Sequence, residues 1–544
     1  MADAPWVNKL YYGDNLDVLR KHVATASVDL IYLDPPFNSN RSYNVLFKER
    51  SGEESPAQIE AFGDTWTWSQ ETEELYQGVQ TSAPHRVADA LEAMRKLLGD
   101  NDVLAYLVMM TARLVELHRV LKPTGSLYLH CDSTASHYLK LILDAIFSPE
   151  RFVNEILWKR SSAHSDAKQG SRHYGRVSDT LLFYSKSDDR TWNNLYQLYD
   201  QEYLDRDYRR VEPETGRRYR IDNIQGPGGA AKGNPYYEVM GVSRHWRYSR
   251  ETMDRLIAEG RIVQTSPGAV PQYKRYLDEM PGVLVQNVWT DIPVINNRSK
   301  ERLGYPTQKP LALLDRIIKV SSNEDDVVLD PFAGCGTAID AAQKLNRRWV
   351  GIDITTLAVN LIDARLRHTY GERIQESYEL LGIPRDLGGA QALFTRSPFE
   401  FERWCVMRVD GQPNEKQVGD RGIDGVIRFP LDQKTSDRIL VSVKGGGTNP
   451  GHVRDLIGTV QSGKAAMGLF ISLRSPTKAM IEAANQSGIY MYPVNGQKFP
   501  KVQIITVEDL LNDKRPNLPT VTLSPYFRAE RRYDDKPDQL ELGY

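Results

Sequence analysis

The stretch DLIYLDPPFNSN, residues 29–40, constrains the fold more than any other part of the chain. Leu30 to Leu33 is apolar without alternation, the pattern of a parallel strand covered on both faces. Pro35 and Pro36 cannot continue a central ladder, so the strand has to stop at Asp34. A carboxylate, a stiff turn and the aromatic Phe37 are left at the carboxyl end of a buried strand. In open α/β sheets that edge is where ligands sit.

The rest of the chain fits such a sheet at both ends. Residues 9–34 read as strand, helix and strand, 101–121 as a helix, and KPTGSLYLHCD (122–132) as a turn and strand. SHYLKLILDAIF is a further helix. From 305 the alternation returns: a helix in YPTQKPLALLDRIIKVSS, a strand and glycine turn in DDVVLDPFAGCGT, a helix, and the strand RRWVGIDI. Strand–helix alternation predicts an α/β fold with a doubly wound parallel sheet. Between 158 and 290 the pattern weakens and Gly, Pro, Arg and Tyr rise, which marks an insertion. SDTLLFYSK (178–186) within it reads as a buried strand of the sheet. A new unit begins near 395, and from 512 the chain is polar and Pro-rich, an extended or disordered tail.

At 544 residues the chain has room for two to four domains at ~150 residues each. No apolar run approaches the ~20 residues that span a bilayer, and the start MADAPWVNKLYYGDN lacks signal-peptide architecture. The three cysteines, Cys131, Cys335 and Cys405, are far apart and odd in number. They argue against a disulfide framework or a cysteine zinc site and for a reduced, cytoplasmic protein. Net charge is only −2, but RDYRRVEPETGRRYR (206–220) and RHWRYSR (244–250) interleave arginines with Tyr and Trp. Such segments suit phosphates and stacked bases, or are a solvated loop.

VVLDPFAGCGTAIDAA puts Asp330 at a strand end and Gly334 and Gly336 in the turn before a helix. Glycines there permit a tight turn and close approach to a ligand. Asp353 ends the next strand, about 20 residues on, where an acid suits a ribose diol. A nicotinamide dehydrogenase shares this logic. The turn, however, lacks the third glycine, since position 339 is Ile, and no phosphate cradle is evident. The pocket suits a nucleoside without a pyrophosphate.

DPFAGCGT followed by GIDI resembles the S-adenosylmethionine site of DNA amino-methyltransferases, and DPPF resembles their catalytic motif. TQKPLALLDRII (307–318) is similar to the helix before their cofactor strand, and YGDNLDVL (12–19) to the acidic motif that contacts the cofactor adenine. The order, catalytic motif before cofactor motif, is that of the circularly permuted beta group, and the resemblance covers residues 8–370. It implies a Rossmann-like methyltransferase domain over 1–157 and 291–385 with an inserted target-recognition region at 158–290.

The resemblance also implies roles. Asp34 and the Pro35 carbonyl accept the amino protons of adenine N6 or cytosine N4, adenine being favoured, and Pro36 helps to stiffen the loop. Phe37 stacks on a base flipped out of double-stranded DNA. Fixed acceptors favour a pyramidal nitrogen with an available lone pair, so no covalent intermediate is needed. Asp353 takes the ribose, Asp14 the adenine, and Asp330, Phe332, Gly334 and Gly336 the methionine end, with Lys309 nearby. Homodimeric assembly stays open, and no membrane partner is expected.

Residues 395–511 resemble the Mrr-like branch of the PD-(D/E)xK restriction-endonuclease fold, a smaller α/β domain, followed by the tail 512–544. Glu402, Asp424 and Lys444 match its functional positions, with Glu402 and Asp424 as ligands for Mg²⁺. One departure is Ser442, where Glu or Gln is usual. Two functions follow: a methylase fused to a Mg²⁺-dependent nuclease in restriction–modification or phage defence, or a modification methylase whose C-terminal fold only binds DNA or a partner.

Overall fold

The computed structural model describes residues 6–36, 42–45, 59–63, 68–132, 135–161, 172, 174–296, 299, 301–303, 305, 307–414, 422–431, 436–512 and 514–519. Phe37 and residues 520–544 of the tail lie outside them.

A nine-stranded sheet dominates the first compact unit. Its order from one edge is Val288–Trp289, Phe152–Lys159, Ser178–Ser185, Leu121–Cys131, Val28–Leu33, Val327–Asp330, Arg348–Asp353, Asn8–Tyr12 and Tyr378–Leu381. The last six run parallel, whereas Ser178–Ser185 is antiparallel to both its neighbours. It is buried over all but Ser178, so this piece of the insertion belongs to the sheet.

The non-alternating runs are apolar because both faces are covered. Ile31, Leu33, Leu127, Leu129, Val350 and Ile352 share one core with helices Asn15–His22, Asp102–Val120 and Ser136–Phe147. Residues of opposite parity face the other layer. There the Tyr128 hydroxyl lies 2.7 Å from Ser321 Oγ on helix Leu311–Ser321, and Trp349 Nε1 donates to Gln343 on helix Thr337–Lys344 at 2.9 Å. The fold is the doubly wound, Rossmann-like arrangement expected for a methyltransferase. No helix among the described residues is long and apolar enough to cross a membrane.

Residues 194–286 form a second compact unit. It has a four-stranded antiparallel sheet, a hairpin of Tyr236–Val239 with Val242–His245, and helix Arg250–Ala258. Its core gathers Ile224, Val239, Trp246, Met253, Leu256 and Ile262. Here the expectation of base-stacking aromatics needs correcting. Trp246 and Tyr208 are fully buried, because so small a unit must draw on its large rings to make a core.

Many of its arginines are also committed internally. Arg217 pairs with Asp278 at 2.8 Å and Glu279 at 2.6 Å while its guanidinium lies 3.8 Å from the Tyr276 ring centroid. Arg261 pairs with Glu279 and Arg275 with Asp222, each at 2.6 Å. Arg209 and Arg244 are exposed.

The C-terminal segment builds a five-stranded sheet in the order Gln412–Pro413, Gly425–Pro430, Ser436–Lys444, Met467–Ser472 and Val502–Thr506. Helices Pro450–Ser462 and Lys478–Gln486 pack on one face through Val453, Leu456, Val460 and Met480. Helix Pro398–Met407 brings the buried Phe401, Trp404 and Cys405 to the sheet.

Candidate active site

Four adjacent parallel strands end at one edge. Tyr12 is in register with Asp353, Asp330 with Gly351, and Ile31 with Leu329. The residues just past those ends therefore converge, and a cavity of about 570 Å³ opens there. Asp14, Asp34, Lys309, Asp330, Gly334 and Asp353, scattered over 340 residues of sequence, all line it.

The glycine turn is shaped by its contacts. Gly334 and Gly336 have φ of +50° and +74°, the left-handed region that favours glycine. A Cβ on Gly336 would stand 2.7 Å from Ile362 Cγ1, so a side chain would wedge the turn off its neighbouring helix. The Gly334 N–H donates to Asp353 Oδ2 at 2.9 Å, and the Thr355 N–H and hydroxyl donate to Oδ1, each at 2.9 Å. These bonds aim the Asp353 carboxylate, yet burial still pushes it up to about 6. Burial also lifts Asp330 well above the usual carboxylate range, although it accepts the Phe332 N–H at 3.1 Å.

At the other end of the cavity Lys309 Nζ pairs with Asp34 Oδ2. Asp34 Oδ1 is buried and has no hydrogen-bond partner among the described residues. A buried carboxylate oxygen without a donor is costly unless a ligand completes it. Pro36 lines the cavity and Pro35 is buried beside it. Lys309 thus contacts the Asp34 carboxylate itself, more directly than the placement near the methionine end implied.

Asp14 lines the cavity and caps helix Asn15–His22, taking the Leu16 N–H at 2.8 Å. Its other oxygen takes Arg113 Nη2 at 2.6 Å. Arg113 Nε also donates to Asn15, whose amide donates to the Pro331 carbonyl at 2.7 Å. Asn15 and Arg113 are site residues the motifs did not reveal. A lone arginine in the apolar run of helix Asp102–Val120 was the available signal.

Tyr32 is another. Its hydroxyl lies 3.0 Å from His130 Nδ1, and His130 Nε2 lies 3.3 Å from Asp179 Oδ2. This buried chain leads from the cavity wall into the sheet. Two further lining residues, Glu400 and Arg403, come from helix Pro398–Met407.

Residues 28–363 match the N6/N4 DNA methylase family. The chain belongs to that family. The methylase is 28% identical over 362 residues to the type II methyltransferase M.EcaI of Enterobacter cloacae, covering 66% of this chain and 69% of that one. It is also 28% identical over 356 residues to the Mod subunit of the type III restriction-modification enzyme StyLTI of Salmonella typhimurium. That match covers 62% of the methylase but only half of the Mod subunit. The solved M1.HpyAVI–SAM complex is similar at 14% identity and a TM-score of 0.30, over 66% of this chain and 98% of that one. Residues 398–512 of the methylase match a family described as NACHT-associated inactive restriction endonuclease 1.

The second constellation is compatible with that description. Lys444 Nζ lies 3.7 Å from Asp424 Oδ2, which also accepts the Val443 N–H at 2.6 Å. Burial pushes the Cys405 thiol well up, and the charges of Glu402 and Asp424 add to that shift. The Ser442 hydroxyl donates to the Gly422 carbonyl at 2.8 Å and offers no charge. Among the described residues no group of three or more His, Cys, Asp or Glu side chains is placed to hold a metal ion. With the matching family described as inactive, the expectation of Mg²⁺ at Glu402 and Asp424 finds no support.

Proposed function

We propose that the chain transfers a methyl group from S-adenosylmethionine to the exocyclic amine of a flipped base in double-stranded DNA, adenine N6 being favoured. One observation carries this reading. Asp34, with one carboxylate oxygen unpartnered among the described residues, lines the same cavity as the glycine turn and Asp353. The cavity fits a nucleoside with a short chain. Asp353 suits the ribose, Asp14 and Asn15 the adenine end, and Asp330, Phe332, Gly334 and Gly336 the methionine end.

When bound, S-adenosylmethionine supplies a methyl group on a sulfonium, with a neutral thioether as leaving group. Asp34 Oδ1 accepts an amino proton of the target base and turns the nitrogen lone pair towards that methyl. Lys309 holds the other oxygen still, so little reorganises during reaction. The Pro35 carbonyl is the second acceptor and Phe37 the stacking ring. Residues 194–286 read the DNA sequence, and the host context is restriction–modification or phage defence.

The C-terminal domain, in this reading, binds DNA or a partner without cutting. Asp424 is satisfied by a backbone N–H and a lysine, and Ser442 supplies no second charge. The test of the whole reading is methyl transfer to duplex DNA by wild type, Asp34→Ala and Asp353→Ala. Asp34→Ala should lose at least ~10²-fold in rate and keep its affinity for S-adenosylhomocysteine. Asp353→Ala should lose that affinity first. Near-wild-type transfer by Asp34→Ala would overturn the assignment.

A further inference from the structure

Glu400 occupies a place its local sequence does not explain. Ser397-Pro-Phe-Glu400 has the form of a capping box, in which the glutamate reaches back to the N–H of the capping serine. Ser397 does cap helix Pro398–Met407, accepting the Glu400 N–H at 3.3 Å. The reciprocal bond is not made, because the Ser397 N–H already donates to the Leu393 carbonyl at 2.8 Å. Released from that task, the carboxylate crosses to the methylase cavity.

There it meets the end of the Asp353 strand. Oε2 lies 3.3 Å from Thr356 Oγ1 and 3.5 Å from the Thr356 N–H and the Tyr12 hydroxyl. Oε1 lies 3.3 Å from Arg403 Nη1. All four contacts sit at the long limit of hydrogen bonding, so the carboxylate is oriented but not saturated. Its side chain is only 17% exposed, and its charge pushes Asp353 further up. Two partly desolvated carboxylates facing one space repel, and donors placed between them relieve the repulsion. A ribose presents two such donors side by side.

We propose that Glu400, carried by the endonuclease-like domain, is a second ribose-binding residue of the methyl-donor pocket, so that this pocket is complete only when that domain is docked. The inference rests on the methyl-donor reading above. Helix Pro398–Met407 is built into both partners. Met407 joins the cluster of Leu303, Tyr305, Cys335, Leu357 and Leu361 behind the glycine turn, and Trp404 and Cys405 are buried at the C-terminal sheet. Donor binding and docking of the domain therefore favour each other by linkage. A ligand of the C-terminal fold that shifts this helix weakens the donor site.

The test is calorimetric binding of S-adenosylhomocysteine and its 2′,3′-dideoxy analogue to the full chain. Wild type, Glu400→Ala, Glu400→Gln and Asp353→Ala are compared, with thermal melts to verify folding. Glu400→Ala should bind S-adenosylhomocysteine about tenfold or more weakly, as expected for hydrogen bonds to a charged group. Glu400→Gln, which keeps an acceptor, should fall between, and it decides the matter if the alanine variant misfolds. The loss on removing the ribose hydroxyls should be smaller in Glu400→Ala than in wild type, which a merely structural role would not produce. Wild-type affinity in both Glu400 variants, or an unchanged dideoxy loss, overturns the inference while a weakened Asp353→Ala leaves the methyl-donor reading standing. Failure of wild type to bind S-adenosylhomocysteine overturns both.

Discussion

Lys309 holds one oxygen of Asp34 and leaves the other buried without a donor among the described residues. The two side chains are only 11% and 16% exposed, so the pair is largely withdrawn from water. Removing one partner strands a buried charge, whereas removing both does not. Lys309→Met should therefore cost roughly 3 kcal/mol of stability. The double variant Asp34→Asn/Lys309→Met should regain most of it without regaining methyl transfer. Urea unfolding of the four proteins measures the coupling, and additive losses would show that the pair does not act as a unit.

A second prediction concerns pH. Burial lifts Asp353 to about 6 from an ordinary value near 4. Between those values the folded chain binds a proton that the unfolded chain does not, so this group's contribution to stability falls as pH rises through that window. Donor binding should run the other way, since the ionised carboxylate is the better acceptor of two hydroxyls. S-adenosylhomocysteine affinity should rise between pH 5 and 7 with a midpoint near 6. In Asp353→Asn it should be weaker and flat, and an equally steep profile in that variant would point to another group.

The carboxylates of the cavity were legible because each ends an apolar strand, and a sheet of this kind gathers such ends at one edge. Asp34, Asp330 and Asp353 announced themselves in this way. Arg113 did not, because its meaning depends on Asp14 and Asn15, about a hundred positions away. Glu400 was hidden by a local pattern that fits an ordinary helix cap. Trp246 and Tyr208 misled in the opposite sense: beside arginines they resemble base-stacking rings, yet the unit spends them on its core. Local spacing shows which backbone turns where; it does not show which side of a small domain a large ring faces.

The arginines of residues 194–286 fall into two groups, and the split predicts opposite phenotypes. Arg217 bridges Asp278 and Glu279 against Tyr276, so Arg217→Ala should loosen the unit and lower its unfolding temperature. Arg209 and Arg244 are exposed, where phosphates can reach them. Arg209→Ala and Arg244→Ala should fold normally and weaken DNA binding, each reducing the salt slope by about 1. An unchanged slope in both would move the phosphate contacts elsewhere.

In the C-terminal domain, neither Mg²⁺ nor Mn²⁺ should bind near Asp424, and no DNA cleavage should follow their addition. Lys444→Ala should leave methyl transfer unaltered. Incubation of unmethylated plasmid with wild type and Lys444→Ala in each metal tests this. Metal-dependent cutting that Lys444→Ala abolishes would restore the nuclease reading in place of the binding one.

The central claim, methyl transfer to an exocyclic amine aligned by Asp34, is tested most directly by identifying the methylated nucleoside. Duplex DNA is incubated with the full chain and S-adenosylmethionine labelled in the methyl group, then digested to nucleosides and resolved by mass. The account predicts N6-methyladenine from wild type, or N4-methylcytosine if the pocket takes the smaller ring, and neither from Asp34→Ala. Label on carbon 5 of cytosine, no label in DNA, or the same labelled nucleoside from Asp34→Ala would contradict it.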